Sequence, residues 1–449
     1  MTIMPSSRER KNRRHLLPRN LQDHVGFHGA SFSGAIFNLS TTIVGAGIMA
    51  LPATLKVLGV LPGLAMIVAA AVLMESSIDI ILKFASPKAA ATGTYSGVVG
   101  EVFGGAGRAI SQACITINNL GMLVVYMIII GDVLSGTRSG GIHHSGVIEG
   151  WFGQQWWTSR SFLLLLTTFL VFLPLTSFKR VDSLRYTSAL SVALAVVFVV
   201  ITAGVTIVKL INGSVTMPRL LPELVDQSSF WKLFTTVPVI ITAYICHYSV
   251  HPIENELKDP SQMKSIVRTS LALCSIVYVA TSLFGFLLFG EQTLDDILAN
   301  FDTDLGIPYS SLINDIVRIS YVVHLMLVFP IVFFSLRLNL DGLLFHYAVP
   351  IANDNPRFLS ITFGLMGVVF LGANFVPSIW DAFQFTGATA SVAIGLIFPA
   401  AIALRDSHGI ASRKDRFLSW VMIILAVTSS TIAIWSEIYS MFNVGEVVR

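Results

Sequence analysis

Gly45, Gly47 and Pro52 stand inside an otherwise apolar stretch that runs Phe37-Asn-Leu-Ser-Thr-Thr-Ile-Val-Gly-Ala-Gly-Ile-Met-Ala-Leu-Pro52. Relative to alanine, glycine costs a helix about 1 kcal/mol and an interior proline about 3, so a helix through this stretch is predicted to break. A break bares N–H groups at the start of one half-helix, which attract a carboxylate. It bares carbonyls at the end of the other, which take an ammonium or a cation. The stretch from Pro238 to Pro252 carries the same expectation, because it ends in polar groups that a membrane helix avoids. Two such breaks together suit a small zwitterion. The residues expected to line it are Thr41, Thr42, Val44, Gly45, Ala46 and Gly47 from the first stretch, with Ile245, Cys246, His247, Tyr248 and Ser249 from the second.

Other polar residues stand in apolar runs. His247 and His324 titrate near neutrality, so either is a candidate to carry a proton; the competing role is a neutral histidine hydrogen-bonding between helices. His251, beside Pro252, reads as interfacial. Glu75, Asp79 and Lys83 recur every four residues. Glu75, the deepest, is a candidate for ion coupling, and Asp79 and Lys83 are expected to pair with each other. Asn118, Asn119 and Tyr126 lie in one run and are candidates to face a cavity. Glu254 and Glu256 follow the second break and are candidates to close an inner gate, and Arg318 has Asp315 three residues earlier to neutralise it. Gly45-Ala-Gly-Ile-Met-Ala50 matches a dinucleotide fingerprint, but no strand-turn-helix unit surrounds it. The chain contains no H-E-x-x-H, G-x-S-x-G or Cys-x-x-Cys. An enzyme, a metal site and a bound cofactor are therefore not expected.

The elements that must hold these groups follow from the charge distribution. Only 12% of the 449 residues are charged, against about 25% in soluble domains. Cutting at every Asp, Glu, Lys and Arg leaves eleven pieces of 18 or more residues: 24–55, 57–74, 109–131, 161–178, 186–208, 233–253, 269–290, 319–336, 358–380, 382–404 and 417–436. Each approaches the length that crosses a hydrocarbon core of about 30 Å as a helix. With the N-terminus in the cytosol, 21 of the 29 Lys and Arg residues fall on the cytosolic side, as the positive-inside rule requires. The C-terminus then lies in the lumen or outside, as does the sequon Asn212-Gly-Ser214. The pI of about 8.7 reflects this loop bias rather than a nucleic-acid partner. Cys114, Cys246 and Cys274 lie in apolar runs and read as small hydrophobes. The first 30 residues lack an apolar run before a cleavage site, so the first span is expected to start insertion. The Gly-rich stretch 84–108 is mildly amphipathic and expected at the membrane surface.

The two interrupted runs open two halves of similar length, and a five-span unit repeated in sequence returns inverted. Interrupted helices at matching positions of inverted halves point to a substrate site near the bilayer midplane. The expected fold is an all-α integral membrane protein of eleven transmembrane helices. It divides into a cytosolic basic tail (1–30), spans one to five (31–211), a non-cytosolic loop (212–230), spans six to ten (231–404) and a last loop, span and tail (405–449).

At these residues the chain resembles a known family. The first stretch, Cys246-His-Tyr-Ser-Val-His-Pro-Ile-Glu-Asn-Glu-Leu257, and Gly387-Ala-Thr-Ala-Ser391 with Ile397-Phe-Pro399 are similar to the amino acid/auxin permease family. Within it the likeness is to plant and fungal vacuolar amino acid transporters, and more distantly to animal sodium-coupled neutral amino acid transporters. The resemblance spans about 31–440 and implies a LeuT-like five-plus-five inverted repeat plus one extra helix. It also implies an amino acid substrate, transport by alternating access and a vacuolar or other endomembrane location. Two positions depart from the sodium-coupled relatives. Thr41 stands where they carry Asn, and the stretch His324-Leu-Met-Leu-Val-Phe-Pro330 lacks their Thr. The coupling ion expected is therefore H+. The alternatives are an amino-acid-sensing receptor and a sodium-coupled plasma-membrane symporter. Beyond substrate and lipid bilayer, no obligate protein partner is inferred.

Overall fold

The computed structural model describes residues 29–85, 93–139, 142–225, 227–345, 349–376, 383, 386–406 and 409–447. The basic tail therefore lies outside the described residues, apart from its last two positions. The architecture is all-helical: α1 (Phe32–Ile43), α2 (Gly47–Leu58), α3 (Val60–Phe84), α4 (Tyr95–Ser135), α5 (Arg160–Thr176), α6 (Arg185–Ile211), α7 (Gln227–Tyr244), α8 (His247–Glu256), α9 (Met263–Phe289), α10 (Ser310–Leu344), α11 (Asn355–Phe375), α12 (Gly387–Arg405) and α13 (Arg413–Val447). A two-stranded antiparallel ribbon, β1 (Thr137–Ser139) with β2 (Ile142–His144), follows α4 and pairs Arg138 with His143. Among the described residues, nine helical segments are long and apolar enough to cross a membrane, and α1 with α2 makes a tenth as one bent span. The piece expected to be the fourth span, α5, is a shorter apolar helix, and Thr168–Phe172 within it is wound as a wider π-helix.

Burial separates an inner bundle from an outer shell. The apolar stretch of α7 and α8 is 83% buried, and that of α13 only 28%. α10 packs on α4 and α6, α9 on α1, α2, α3 and α6, and α7 on α2 and α13. The outer helices turn large apolar side chains outward, such as Val72, Phe169, Val200, Phe363 and Trp420. Water would penalise such a surface and lipid would not.

Polar staples set the helix ends. Ser31 caps α1 by accepting the Gly34 N–H at 3.2 Å. The sharp turn from α2 to α3 needs Gly59 (φ +77°), where a Cβ would lie 2.5 Å from the Leu221 backbone. That approach lets the Arg219 and Leu220 carbonyls accept the first N–H groups of α3, from Val60 and Leu61, both at 3.0 Å. Arg160 pairs with Asp132 and donates to the Ala373 carbonyl, tying α5 to α4 and α11.

Part of the Gly-rich stretch packs as a helix, and one expected pairing fails. The segment from Tyr95 to Phe103 is helical and continues past a kink at Gly104 into α4. Its apolar residues Tyr95, Val98, Val99 and Val102 are buried against protein, and the Tyr95 hydroxyl donates to the Ile394 carbonyl at 2.7 Å. Asp79 and Lys83 do not pair with each other. Asp79 meets Lys264 at 3.4 Å and Lys83 meets Asp415 at 2.5 Å, because neighbouring helices offer unpaired opposite charges closer than the i,i+4 partner.

Between α9 and α10, Asp296 caps the short helix Ile297–Asn300 by accepting the Leu298 N–H at 2.9 Å. Burial pushes its carboxyl up to about 6, opposed by that N–H and reinforced by Asp132 and Asp295. The folded chain thus binds this proton more tightly than the unfolded chain does. The resulting stability is fully present below the unfolded value of about 3.9 and is lost as pH rises through about 6. Asp296→Asn keeps the cap and removes the titration. It is expected to unfold at a higher temperature than the parent at pH 7 and to lose that advantage at pH 4, read by thermal unfolding in detergent.

Candidate functional site

α1 ends where Val44 leaves helical geometry (φ −79°, ψ 95°), with its N–H still bonded to Ser40 at 2.8 Å. The chain restarts as α2 at Gly47 with a bend of 54°. The second interruption is gentler. Ile245 and Cys246 (φ −145°, ψ 3°) separate α7 from α8, while Ser229–Glu256 runs on as one span. The two interruptions meet at backbone distance. A Cβ on Gly47 would lie 2.8 Å from Ala243 Cα, and one on Gly45 would lie 2.1 Å from the Tyr126 hydroxyl. The glycines are therefore close-approach positions between helices, as well as weak points within one.

Tyrosine hydroxyls meet the carbonyls that the breaks release. Tyr278 of α9 directs its hydroxyl at both the Ile43 carbonyl (2.7 Å) and the Ala243 carbonyl (2.6 Å), so one side chain bridges both interruptions. Tyr321 of α10 donates to the Gly45 carbonyl at 2.6 Å. Tyr126 of α4 receives the Ala46 N–H and lies beside Tyr248. Each of these rings is buried. The sequence reading missed Tyr278 and Tyr321. The available signals were a lone hydroxyl ring within the run 269–290 and the i,i+3 spacing of Tyr321 and His324.

Both histidines are fully enclosed. His324 approaches the Ser191 carbonyl at 2.8 Å through Nδ1, which must carry the proton because a carbonyl only accepts. Its Nε2 makes no hydrogen bond and faces the Val44 carbonyl at the first break. Ser77 Oγ donates to the Gly395 carbonyl at 2.5 Å and lies 2.9 Å from His247 Nε2, so Nε2 is the donor and Nδ1 is left bare.

Of the other residues considered, Thr41 donates to the Ser188 carbonyl (3.0 Å) and Thr42 to the Asn38 carbonyl (3.0 Å). Ser249 Oγ meets Ser335 Oγ at 3.3 Å. Asn118 and Asn119 bond each other, and Ser391 of α12 donates to Asn118 at 2.6 Å. Asn118 precedes Tyr126 by about 12 Å of helix, and Asn119 Nδ2 is buried without a partner. Glu75 pairs with the exposed Arg268 at 2.9 Å. Glu254 accepts from His251 Nδ1 at 3.0 Å, and His251 is buried in the bundle rather than interfacial. The contact between elements belongs to Glu256, whose carboxylate accepts the N–H groups of Val181 (2.9 Å) and Asp182 (2.6 Å). Ala30 bonds the adjoining backbone, donating to the Glu256 carbonyl and accepting from Lys258. Arg318 donates to the Ser145 carbonyl at 2.9 Å, while Asp315 accepts from Trp151 Nε1 at 2.9 Å. These four residues line a cavity of about 370 Å³, one helical turn from Tyr321.

The profile described as "Transmembrane amino acid transporter protein" matches residues 28–440. The chain is 60% identical to amino acid transporter AVT6A of Arabidopsis thaliana, over 95% of this chain and 93% of the relative. It is 61% identical to AVT6B of the same plant, over 93% and 91%. It is also 26% identical to sodium-coupled neutral amino acid symporter 2 of Danio rerio, over 87% and 78%. These relatives are named as transporters, not enzymes. Among solved structures, the fold is similar to that of a manganese transporter from Eremococcus coleocola (TM-score 0.57, 13% identity, 92% and 87% covered) and to that of MhsT in complex with L-phenylalanine (TM-score 0.56, 14% identity, 92% and 99% covered). The neighbours are LeuT-like, and at these identities they speak for the fold alone.

The contact between Gly45 and Tyr126 is testable without a substrate. Gly45→Ala drives a methyl group into the hydroxyl and is expected to destabilise the chain by about 1–3 kcal/mol. Tyr126→Phe in the same chain clears the nearest atom and should recover part of that loss. Thermal unfolding of the two single variants and the double variant reads the coupling.

Proposed function

Because the chain belongs to the transmembrane amino acid transporter family, we propose that it moves an amino acid across its membrane by alternating access, with the substrate held between the two interruptions. The observation that carries this reading is the meeting of the breaks, where the carbonyls of Ile43, Gly45 and Ala243 gather around two tyrosine hydroxyls. A substrate ammonium competes with those hydroxyls for the carbonyls, and a carboxylate competes for the N–H groups at the start of α2. With α5 counted as a crossing, the spans number eleven, in two inverted sets of five with α13 added. The cavity beside Arg318 then opens to the lumen or outside and Glu256 closes the cytosolic end.

A proton is the proposed coupling ion. A second proton on His324 converts Nε2 from an acceptor facing the Val44 carbonyl into a donor to it, which ties α10 to the first break. Sodium is less well served. α10 offers no hydroxyl between Tyr321 and Ser335 to serve as a ligand. Neither interrupted stretch, 37–52 or 238–252, contains a Lys or Arg, which favours a neutral substrate, and the resemblance to vacuolar transporters supports an endomembrane location.

Proteoliposome uptake of labelled amino acids, with pH and sodium gradients imposed separately, tests this reading. Uptake driven by the pH gradient alone is expected. Saturable binding without counterflow for any of the twenty amino acids would instead indicate a sensor. In the same vesicles, His324→Gln should retain counterflow but flatten the dependence of flux on pH; an unaltered profile would leave His324 with a structural role only.

A further inference from the structure

Arg337 is only 2% exposed, yet among the described residues no carboxylate pairs with it. Its guanidinium donates to the carbonyls of Thr176 (2.7 Å) and Phe178 (3.2 Å) and to the Thr362 hydroxyl (3.0 Å), and it stacks over Phe358 at 3.9 Å. Lys179, which is exposed, likewise meets neutral acceptors, with Nζ 2.8 Å from the Ala352 carbonyl and 2.5 Å from Asn355 Oδ1. The Arg108 guanidinium makes no hydrogen bond or ion pair to a described residue; its carbonyl accepts from Ser111 Oγ at 2.9 Å. These three cations line one cleft of about 430 Å³ between α4, α10 and residues 349–352. The single carboxylate among its described lining residues, Asp341, lies 3.0 Å from Arg357 Nε and is already matched.

Buried charge is ordinarily paired, because neutral dipoles recover only part of the hydration lost. Here Arg337 is buried, Arg108 half-buried and Lys179 exposed, and the three share a cleft whose described lining residues include no unmatched negative charge. We propose that the cleft binds a phosphate-bearing anion, with Arg108 and Lys179 as its direct partners and Arg337 as the fixed charge behind them. Phosphate suits the site because it offers several charged acceptor oxygens to guanidinium and ammonium donors at once. Two sources share this chemistry, a phospholipid headgroup and a soluble phosphate. Leu344, Phe345 and Val349 are exposed at the rim, beside the acyl region a lipid would occupy. Neither the identity of the transported substrate nor the coupling ion enters the proposal.

The test uses the full-length chain in detergent, with short-chain phosphatidylinositol 4-phosphate, inorganic phosphate and short-chain phosphatidylcholine as separate probes. At saturation the phosphoinositide is expected to raise the unfolding temperature by about 3 °C, and phosphatidylcholine should leave it unchanged. A shift with inorganic phosphate as well identifies the phosphate group itself as sufficient; a shift with the lipid alone assigns the site to a headgroup. Arg108→Gln and Lys179→Gln should each weaken binding about tenfold, with folding judged from the ligand-free transition. Lys264→Gln, which removes a charge at the Asp79 pair, should not weaken binding. No shift with either phosphate probe, or an equal loss in the Lys264 variant, would overturn the proposal.

Discussion

Backbone groups released from helical bonding in the middle of a membrane protein must find partners within the protein, since each one left bare costs several kcal/mol. The site depends on this constraint. Breaking α1 at Val44 and interrupting α7 and α8 at Cys246 frees carbonyls at Ile43, Gly45 and Ala243, and the fold meets them with the hydroxyls of Tyr278 and Tyr321. α9 and α10 thus supply the partners that the broken helices lack. Tyr278 spans both interruptions, so the first and second halves of the chain are joined at the point where each is weakest.

The two histidines follow the same logic in different surroundings. Each donates from one ring nitrogen to an oxygen and leaves the other without a hydrogen bond. His247 rests on α3 through Ser77, whereas His324 faces the carbonyl that ends α1. Only the second therefore lies against a break. The Arg219 backbone strap at Gly59 and the Arg160 tie between α4, α5 and α11 hold the surrounding frame.

What was legible in the sequence was local. Gly45, Gly47 and Pro52 carry intrinsic helix penalties, so the first break could be located without knowing its neighbours, and long charge-free runs announce helices in lipid. What was not legible depended on partners distant in sequence. Nothing near Tyr278 states that its hydroxyl reaches Ile43, 235 residues away. Asp79 and Lys83 satisfied a spacing rule and still separated, because α9 and α13 brought Lys264 and Asp415 within reach. The shortness of α5 escaped for another reason: the run 161–178 has the composition of a span, while its π-wound turn at Thr168–Phe172 is a backbone feature that composition does not encode.

The closure at Glu256 has an evolutionary corollary. Its carboxylate binds main-chain N–H groups of Val181 and Asp182, which every residue except proline supplies. The contact therefore does not depend on the side chains at 181 and 182, which are held by burial and by the Asp182–Arg185 pair instead, whereas it does depend on Glu256. Selection on this latch falls on one partner only, and it would be invisible to a search for co-varying pairs.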